Sequence, residues 1–439
     1  MITSRRRFLG CFLGSLSSLA SVISIAAEAA KSSSAHSVAV VATRATAAYA
    51  RGETVEFAVR VAHEGKPVSA GVVEWTVSKD GVPPVKTGRA TLKDGGTTIS
   101  GSLDEPGFLQ CRVTFQPTGG GAKITALGGA AIAPKEIKPS LPVPDDFDAF
   151  WSAQKARLAA VPINARLTPV KSTSAKAEAF DLQADSVGSP VSGYFARPVG
   201  AKPRSLPAIL TVHGAGVRSA GLSGAVGWAA EGALALDINA HGLPNGRESA
   251  FYSALAEGEL KDYRRAGRES RDTIYFLGMF LRLIRAIDFL TAQPEWDGRT
   301  VVVSGSSQGG AQALAAAGLD PRVTFFAAGV AAMCDHTGPV AGRVAGWPKF
   351  IESAERPPPA TVVAAVRYYD GVNFAARARA PGIFTVGFID TTCPPTSVYA
   401  AYNALAAPKE IFHDIEAGHT NTPAASASMR EAVRRHLRR

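Results

Sequence analysis

The pattern of apolar and polar positions changes partway along the chain. In residues 36–133, segments such as TVEFAVRV and FLQCRVTF alternate apolar and polar side chains, and turns rich in Gly, Pro and Asp separate them. A period of two is typical of strands with one buried face. This part is predicted to form a small immunoglobulin-like β-sandwich, with Trp75 and Cys111 on facing strands. Because its aromatic residues fall at core-type positions, we expect a packing or spacer module, with glycan binding as the alternative.

A different pattern follows a stretch that contains Pro and Lys. Residues 134–145 are predicted to be a linker. In residues 146–439, short apolar runs interleave with helical segments, including a long helix from about Asp272 to Thr291. Strands that alternate with helices favour a mostly parallel sheet with helices on both faces. We therefore expect a second module of the α/β class.

The first 29 residues have the features of an export signal. They carry three arginines near their start, at positions 5–7, continue with a mildly apolar stretch and end in Ala-Glu-Ala. The segment SRRRFL also resembles the twin-arginine signal, whose pathway carries folded proteins. Several serines interrupt the apolar stretch, so we expect no stable membrane anchor. The mature protein is predicted to begin near Ala30 and to be periplasmic or secreted.

Composition narrows the functional classes. The chain has 439 residues, 46% of them hydrophobic, which is enough for one large core and a smaller one. Its formal net charge of +10 comes without aromatic residues clustered beside the arginines, so we expect a soluble basic surface and no nucleic-acid partner. Three cysteines follow the signal, too few for a disulfide scaffold; Cys334 with Cys393 is the expected pair if one forms. No Cys/His spacing indicates a metal site.

The segment VVVSGSSQGGAQAL passes from an apolar strand into a helix-forming stretch. It contains a G-x-S-x-G motif at this corner, with Ser307 at its centre. A serine at such a corner adopts a strained backbone conformation, and Gly305, Gly309 and Gly310 provide clearance around it. Ser307 is therefore a candidate nucleophile, and the backbone N–H of Gln308 is a candidate oxyanion donor. The alternative is a glycine-rich turn with no chemical role.

A serine hydroxyl needs a base that a carboxylate orients. Asp390 ends the apolar run FTVGFID, and His419 lies in a loop after the next expected strand. The order serine, aspartate, histidine is that of the α/β hydrolases. His213 and His241 precede the serine, so we expect them to organise backbone or pocket; His336 precedes the strand that carries Asp390.

A second oxyanion donor is expected in the loop after an earlier strand. In LTVHGAGVRS, the backbone N–H of Ala215 occupies that position, between Gly214 and Gly216. The two glycines would permit close approach of a substrate. A glycine turn without a catalytic role is the alternative.

Several segments together resemble the acetyl xylan esterase and cephalosporin C deacetylase family of α/β hydrolases. They are VPDDFDAFW, VSGSSQGGAQALAAAGLDPRV, MCDH, GFIDTTCPPTSVYAAYN and AGH, and the resemblance covers roughly residues 140–439. It implies an α/β-hydrolase fold and deacetylation of sugar esters without a cofactor or metal. Ser307 would be the nucleophile, Asp390 the orienting acid and His419 the base, with the amides of Ala215 and Gln308 as oxyanion donors.

Two departures from the family bear on the substrate rather than the chemistry. Ala215 stands where the family often has tyrosine, and DINAHGLPNG replaces an arginine-glycine turn. The expected substrate is acetylated xylan or xylo-oligosaccharide. A feruloyl or glucuronoyl esterase and a peptidase stay open, because a triad does not choose between ester and amide. The non-enzymatic alternative is an inactive exported glycan-binding protein. The family tends to form rings, so a homo-oligomer is also open, although the added N-terminal domain could block those contacts.

Overall fold

A computed structural model describes residues 36–83, 86–118, 120–352 and 355–438. The strands are β1 (His36–Ala42), β2 (Ala48–Tyr49), β3 (Val55–His63), β4 (Lys66–Pro67), β5 (Val72–Lys79), β6 (Lys86–Thr91), β7 (Gly96–Gly101), β8 (Gly107–Phe115), β9 (Ile124–Ile132), β10 (Arg166–Val170), β11 (Ala177–Ala184), β12 (Val191–Pro198), β13 (Leu206–Val212), β14 (Leu234–Ile238), β15 (Trp296–Ser306), β16 (Phe325–Gly329), β17 (Gly382–Gly387) and β18 (Lys409–Asp414). The α-helices are α1 (Phe147–Ala159), α2 (Leu222–Ala230), α3 (Ser249–Glu257), α4 (Phe276–Thr291), α5 (Gln308–Leu319), α6 (Ala360–Val366), α7 (Gly371–Ala375), α8 (Pro395–Ala404) and α9 (Pro423–Leu437).

Two sheets make up residues 36–132, which we call the N-terminal module. One has the order β1-β3-β4 with β7 also paired to β3, and the other has the order β2-β9-β8-β5-β6. The expectation that Trp75 and Cys111 lie on facing strands is wrong: β5 and β8 are neighbours in one sheet, where Trp75 is opposite Val113 and Val77 is opposite Cys111. Alternation along a strand assigns side chains to faces, but it does not assign the strand to a sheet.

A nine-stranded sheet organises residues 147–437, which we call the C-terminal module. Its order is β10-β11-β12-β14-β13-β15-β16-β17-β18. The pairs from β14 onward are parallel, and the three pairs before them are antiparallel. Helices cover both faces: Leu210 of β13 belongs to the apolar cluster that contains α4 and α5, whereas its neighbour Ile209 packs with α2 and α9. The predicted α/β class and mostly parallel sheet are confirmed.

The long helix begins later than expected. Helix α4 starts at Phe276 rather than near Asp272, because the preceding residues form turns. The Thr273 hydroxyl donates to the Gly267 carbonyl at 3.2 Å, and Gly267 has a φ of +70°. A side-chain hydrogen bond of this kind competes with helical backbone hydrogen bonds.

The N-terminal module packs directly on the C-terminal module. The ring of Phe108 on β8 lies 5.0 Å from that of Phe388 and 5.5 Å from that of Tyr399. A Cβ at Gly129 would lie 2.6 Å from the Phe388 carbonyl oxygen, so glycine allows the backbones to approach closely. The connecting stretch is also fastened, since Asn403 Nδ2 donates to the carbonyl of Ile137 at 2.9 Å. The two modules therefore share one apolar core.

Within the described residues, no helix is long and apolar enough to cross a bilayer. The three described cysteines, Cys111, Cys334 and Cys393, are buried free thiols. The pair suggested by the sequence is therefore not a disulfide in this structure. The expected export signal lies outside the described residues.

Candidate active site

Ser307 is the single residue between the end of β15 and the start of α5. Its φ of 58° and ψ of −122° are rare for a residue with a side chain. Its N–H donates to the Gly329 carbonyl at 2.8 Å, and its carbonyl accepts from Ala332 N at 3.0 Å. Backbone hydrogen bonds thus hold Ser307 in a strained conformation. Strained residues of this kind are typical of functional sites.

The neighbouring glycines are required by the backbone packing. A Cβ at Gly305 would lie 2.6 Å from the Val212 carbonyl oxygen, and one at Gly309 would lie 2.4 Å from the same atom. A Cβ at Gly310 would lie 2.9 Å from the Gly329 carbonyl oxygen. Because these contacts are with backbone, no side-chain movement could relieve them.

Ser307, His419 and Asp390 form a chain of hydrogen bonds. His419 Nε2 lies 2.8 Å from Ser307 Oγ, and His419 Nδ1 lies 2.7 Å from Asp390 Oδ2. A carboxylate only accepts, so Nδ1 carries the ring proton and Nε2 accepts from the serine hydroxyl. Asp390 Oδ1 accepts from the N–H groups of Thr392 and Cys393 at 2.8 and 2.9 Å. The carboxylate is therefore held from both sides, and Asp390 is only 1% exposed.

The predicted oxyanion segments lie beside the serine and are joined by a tyrosine. A Cβ at Gly214 would lie 3.5 Å from Ser307 Cβ, which brings the loop with Ala215 next to the nucleophile. The Tyr263 hydroxyl donates to Gln308 Oε1 at 2.9 Å and accepts from Gly216 N at 3.4 Å. Burial raises the pKa of Tyr263, so the hydroxyl keeps the proton that it donates.

His213 is a buried, neutral support for the same loop. Its Nε2 accepts from Ala240 N at 3.1 Å, so Nδ1 carries the proton and donates to the Gly214 carbonyl at 2.6 Å. Burial lowers its pKa to about 4. A neutral ring with both nitrogens engaged in backbone contacts is unsuited to act as the base.

His241 supports the loop from another side. Its Nε2 lies 3.3 Å from the Gly216 carbonyl, its Nδ1 lies 2.8 Å from the Tyr275 hydroxyl, and its ring meets that of Tyr263 edge-on at 4.7 Å. Burial lowers its pKa to about 4. His213 and His241 thus organise backbone, as expected.

Sequence reasoning missed Asn421. Its Nδ2 donates to Ser306 Oγ at 2.6 Å, and its Oδ1 accepts from the Thr385 hydroxyl. The amide therefore connects the loop of His419 to the residue before Ser307. Its only signal in the sequence is its place two residues after the histidine. Tyr263 was missed as well, because it lies in a stretch of turns that has no motif.

Two other features near the site do not indicate different chemistry. His336 is buried against Phe350, and burial lowers its pKa to about 3, so it belongs to the core. Asp390, Cys393 and His419 place potential metal-binding atoms within 4.8 Å of one another. However, Asp390 and His419 already bind each other, and burial raises the pKa of Cys393 well above its usual value, so the thiol stays protonated. This donor set suits a catalytic triad better than a metal ion.

Residues 133–431 match the model of the acetyl xylan esterase family. The chain belongs to this family. It is 32% identical over 373 residues to the acetyl esterase Axe7A of Xylanibacter ruminicola, a match that covers 82% of each chain. Members of the acetyl xylan esterase family are carboxylic ester hydrolases, and this chain is therefore an enzyme of that class.

Two solved acetyl xylan esterases are similar in structure. The enzyme from Paenibacillus sp. R4 is 29% identical, with a TM-score of 0.60, over 69% of this chain and 98% of its own. The enzyme from Thermoanaerobacterium sp. JW/SL YS485 is 22% identical, with a TM-score of 0.57, over 69% of this chain and 96% of its own. These neighbours show the α/β-hydrolase type of fold. The Axe7A match covers more of the chain than residues 133–439 could supply, so it extends into the N-terminal module.

Proposed function

We propose that the chain is a serine esterase that removes acetyl groups from acetylated xylan or xylo-oligosaccharides. The observation that carries this proposal is the hydrogen-bonded chain from Ser307 through His419 to Asp390. Family membership supports acetyl esters as the substrate class. The partner is an acetylated carbohydrate, and no cofactor takes part.

In the proposed reaction, Ser307 Oγ attacks the acetyl carbonyl carbon while His419 Nε2 accepts the hydroxyl proton. Asp390 stabilises the imidazolium that forms, and the N–H groups of Gln308 and Ala215 donate to the oxyanion. The intermediate collapses as His419 gives its proton to the sugar oxygen, which leaves as an alcohol. Water then attacks the acetyl-serine with His419 as base, and acetate is released.

The replacement of Ser307 by Ala tests the nucleophile. We expect Ser307→Ala to lower turnover of p-nitrophenyl acetate by more than about a hundredfold, because triad losses are typically far larger. Ser306→Ala removes the neighbouring hydroxyl of the same corner and serves as the matched control, with a much smaller loss. Retention of more than about a hundredth of the activity in Ser307→Ala would contradict the assignment.

A panel of esters tests the substrate. We expect kcat/KM to be highest for acetyl and to fall for butyryl and octanoyl esters, since a pocket shaped for one methyl group discriminates by about 1–3 kcal/mol per methylene. The competing candidate is a feruloyl or glucuronoyl esterase. Ala215 supports it, because a small side chain beside the oxyanion segment leaves room for a feruloyl or methyl-glucuronate ester. Faster turnover of those esters than of acetylated xylo-oligosaccharides would replace the acetyl substrate and leave the triad in place.

We propose that residues 36–133 form an immunoglobulin-like β-sandwich, residues 134–145 a linker and residues 146–439 the catalytic domain. We further propose that residues 1–29 are an export signal of the twin-arginine type and that the mature enzyme is periplasmic or secreted. The paired arginines and the Ala-Glu-Ala sequence support export. N-terminal sequencing of the mature enzyme should begin near Ala30, and an intact Met1 on the active cellular pool would contradict it.

A further inference from the structure

A cleft of about 600 Å³ lies where the two modules meet. Its walls include Asp80, Gln110 and Arg112 from the N-terminal module. Lys349 and Thr391 line it from the C-terminal module, and Thr391 directly follows Asp390 in the chain. Its volume lies within the range of about 300–1,000 Å³ that is usual for ligand sites, which also occur preferentially between domains. The cleft thus shares a wall with the loop that carries the triad acid.

The side chain of Gln110 faces the C-terminal module, because side chains alternate between the two faces along β8. Phe108, Gln110 and Arg112 lie on the same face of the strand, and Phe108 packs on Phe388. Gln110 is 2% exposed, yet its Nε2 has no hydrogen-bond partner. A buried amide donor without a partner costs free energy and is uncommon. Gln110 lines the cleft, so this unpaired donor lies next to the space that a ligand would occupy.

Asp80 provides the complementary acceptor. It is 4% exposed, and neither carboxylate oxygen has a hydrogen-bond partner. The Thr396 hydroxyl is close enough to favour the carboxylate, but it is outside hydrogen-bond geometry and has no partner itself. Burial raises the pKa of Asp80 to about 7. A Cβ at Gly81 would lie 3.8 Å from Gln110 Oε1, so this turn and the glutamine side chain are adjacent.

The backbone at Asp80 is also unusual. Its φ of +50° places it in the left-handed region, which Asp and Asn tolerate better than most residues. Its N–H donates to the Phe108 carbonyl at 3.0 Å, which fixes the turn against β8. Strain and an unpaired carboxylate therefore coincide at one residue, as they often do in binding sites.

The charges around the cleft indicate the chemistry of the ligand. Glu352 and Glu355 form ion pairs with arginines outside the cleft, and Arg343 pairs with Asp335. Among the described residues, no carboxylate lies within ion-pair distance of Arg112 or Lys349 at the cleft. The ligand must donate to Asp80 and accept from Gln110 and from these cations. A sugar hydroxyl both donates and accepts, so it can pair with Asp80 in either protonation state, whereas a fully ionised phosphate has no proton to donate to the carboxylate.

We propose that this cleft is a carbohydrate-binding subsite, in which hydroxyl groups of a sugar residue bind to Asp80 and Gln110. The choice of xylose as that sugar rests on the proposed function. The subsite would hold sugar residues that carry no acetyl group, in the same xylan chain whose acetylated sugar reaches Ser307. It should therefore affect oligosaccharide substrates and leave small aryl esters unaffected.

Xylotetraose, which carries no ester, tests binding separately from catalysis. By calorimetry, we expect the full-length enzyme to bind xylotetraose and Gln110→Leu and Asp80→Asn to bind it at least about tenfold more weakly. Asn suits the positive φ at position 80, so Asp80→Asn keeps the turn. The matched control is Gln116→Leu, the same change in the same module outside the cleft lining. Equal affinity in wild type and cleft variants, or no binding by wild type, would overturn the proposal.

Steady-state kinetics and melting temperatures distinguish a sugar-binding role of Asp80 and Gln110 from a structural role. For acetylated xylotetraose, the cleft variants should raise KM about tenfold, while kcat/KM for p-nitrophenyl acetate stays unchanged. Their Tm without ligand should be unchanged or higher, because Gln110→Leu removes a buried amide donor that has no partner and Asp80→Asn removes a buried ionisable group. A lower Tm together with slower p-nitrophenyl acetate turnover would assign both residues a structural role and overturn the subsite. If xylotetraose bound through both residues while no acetylated sugar were hydrolysed, the subsite would stand and the proposed function would fall.

Discussion

At the scale of single residues, the Tyr263 hydroxyl joins two backbone segments that lie far apart in the sequence. It contacts Gln308 Oε1 on the helix side of the nucleophile and Gly216 N in the opposite loop. Both segments are proposed to donate to the oxyanion, and such donors act through their fixed positions. Tyr263 is therefore a positioning residue, which acts on the transition state through the start of α5 and the loop that contains Gly216.

We predict that Tyr263→Phe lowers kcat about tenfold and changes KM little, since removal of a direct oxyanion donor costs about 10²–10³ in kcat and an indirect support should cost less. Steady-state kinetics with p-nitrophenyl acetate measure both constants. Tyr402→Phe is the control, because its hydroxyl lies outside this network. An equal kcat in the two variants would show that the bridge does not position the oxyanion donors.

The residues that sequence reasoning found are those whose role depends on local spacing. Ser307 lies between glycines at a strand-to-helix corner, Asp390 ends an apolar run, and His419 lies in the loop after the next strand. Tyr263 and Asn421 contribute through side-chain hydrogen bonds to residues that are distant in sequence, such as those 45 and 115 positions away. A contact of that kind leaves no periodic or local signal, so only the folded structure could identify it.

At the scale of elements, the corner from β15 to α5 depends on close contact between backbones. We predict that Gly309→Ala lowers the stability by about 1–3 kcal/mol and removes most of the activity, because its Cβ would lie 2.4 Å from the Val212 carbonyl oxygen. Gly227→Ala in α2 is the matched control. A Cβ there meets nothing within 4 Å, and alanine should stabilise the helix by about 0.5–1 kcal/mol. Melting curves and esterase rates of both variants check the pair, and an active, stable Gly309→Ala would contradict the packing argument.

The period of the apolar pattern was sufficient to identify elements but not their partners. It correctly distinguished the strands of the N-terminal module from the alternating strands and helices that follow. It did not reveal that β5 and β8 pair within one sheet, since alternation is the same whichever strand lies alongside. It also placed the start of α4 too early, because the hydrogen bond from Thr273 to Gly267 favours a turn there.

At the scale of the whole molecule, the N-terminal module is attached to the part of the C-terminal module that carries the triad acid. Phe108 meets Phe388, two residues before Asp390, and the cleft beside this contact includes Thr391. A change in how the modules pack should therefore alter the position of the Asp390 carboxylate, which orients His419. The sequence offered no sign of this connection, because the family resemblance begins only after the N-terminal module.

A comparison of Phe108→Leu with Phe57→Leu separates an effect on the position of Asp390 from a general loss of stability. Both phenylalanines are fully buried in the N-terminal module, and each substitution should lower its stability by about 1–3 kcal/mol. Of these two, Phe108 contacts the Phe388 ring, so we predict that Phe108→Leu also lowers kcat for p-nitrophenyl acetate severalfold at a temperature where both variants are folded. Phe57 packs within the N-terminal module, and its replacement should leave kcat unchanged. Equal kcat values in the two variants would mean that the N-terminal module stabilises the enzyme without influencing the position of Asp390.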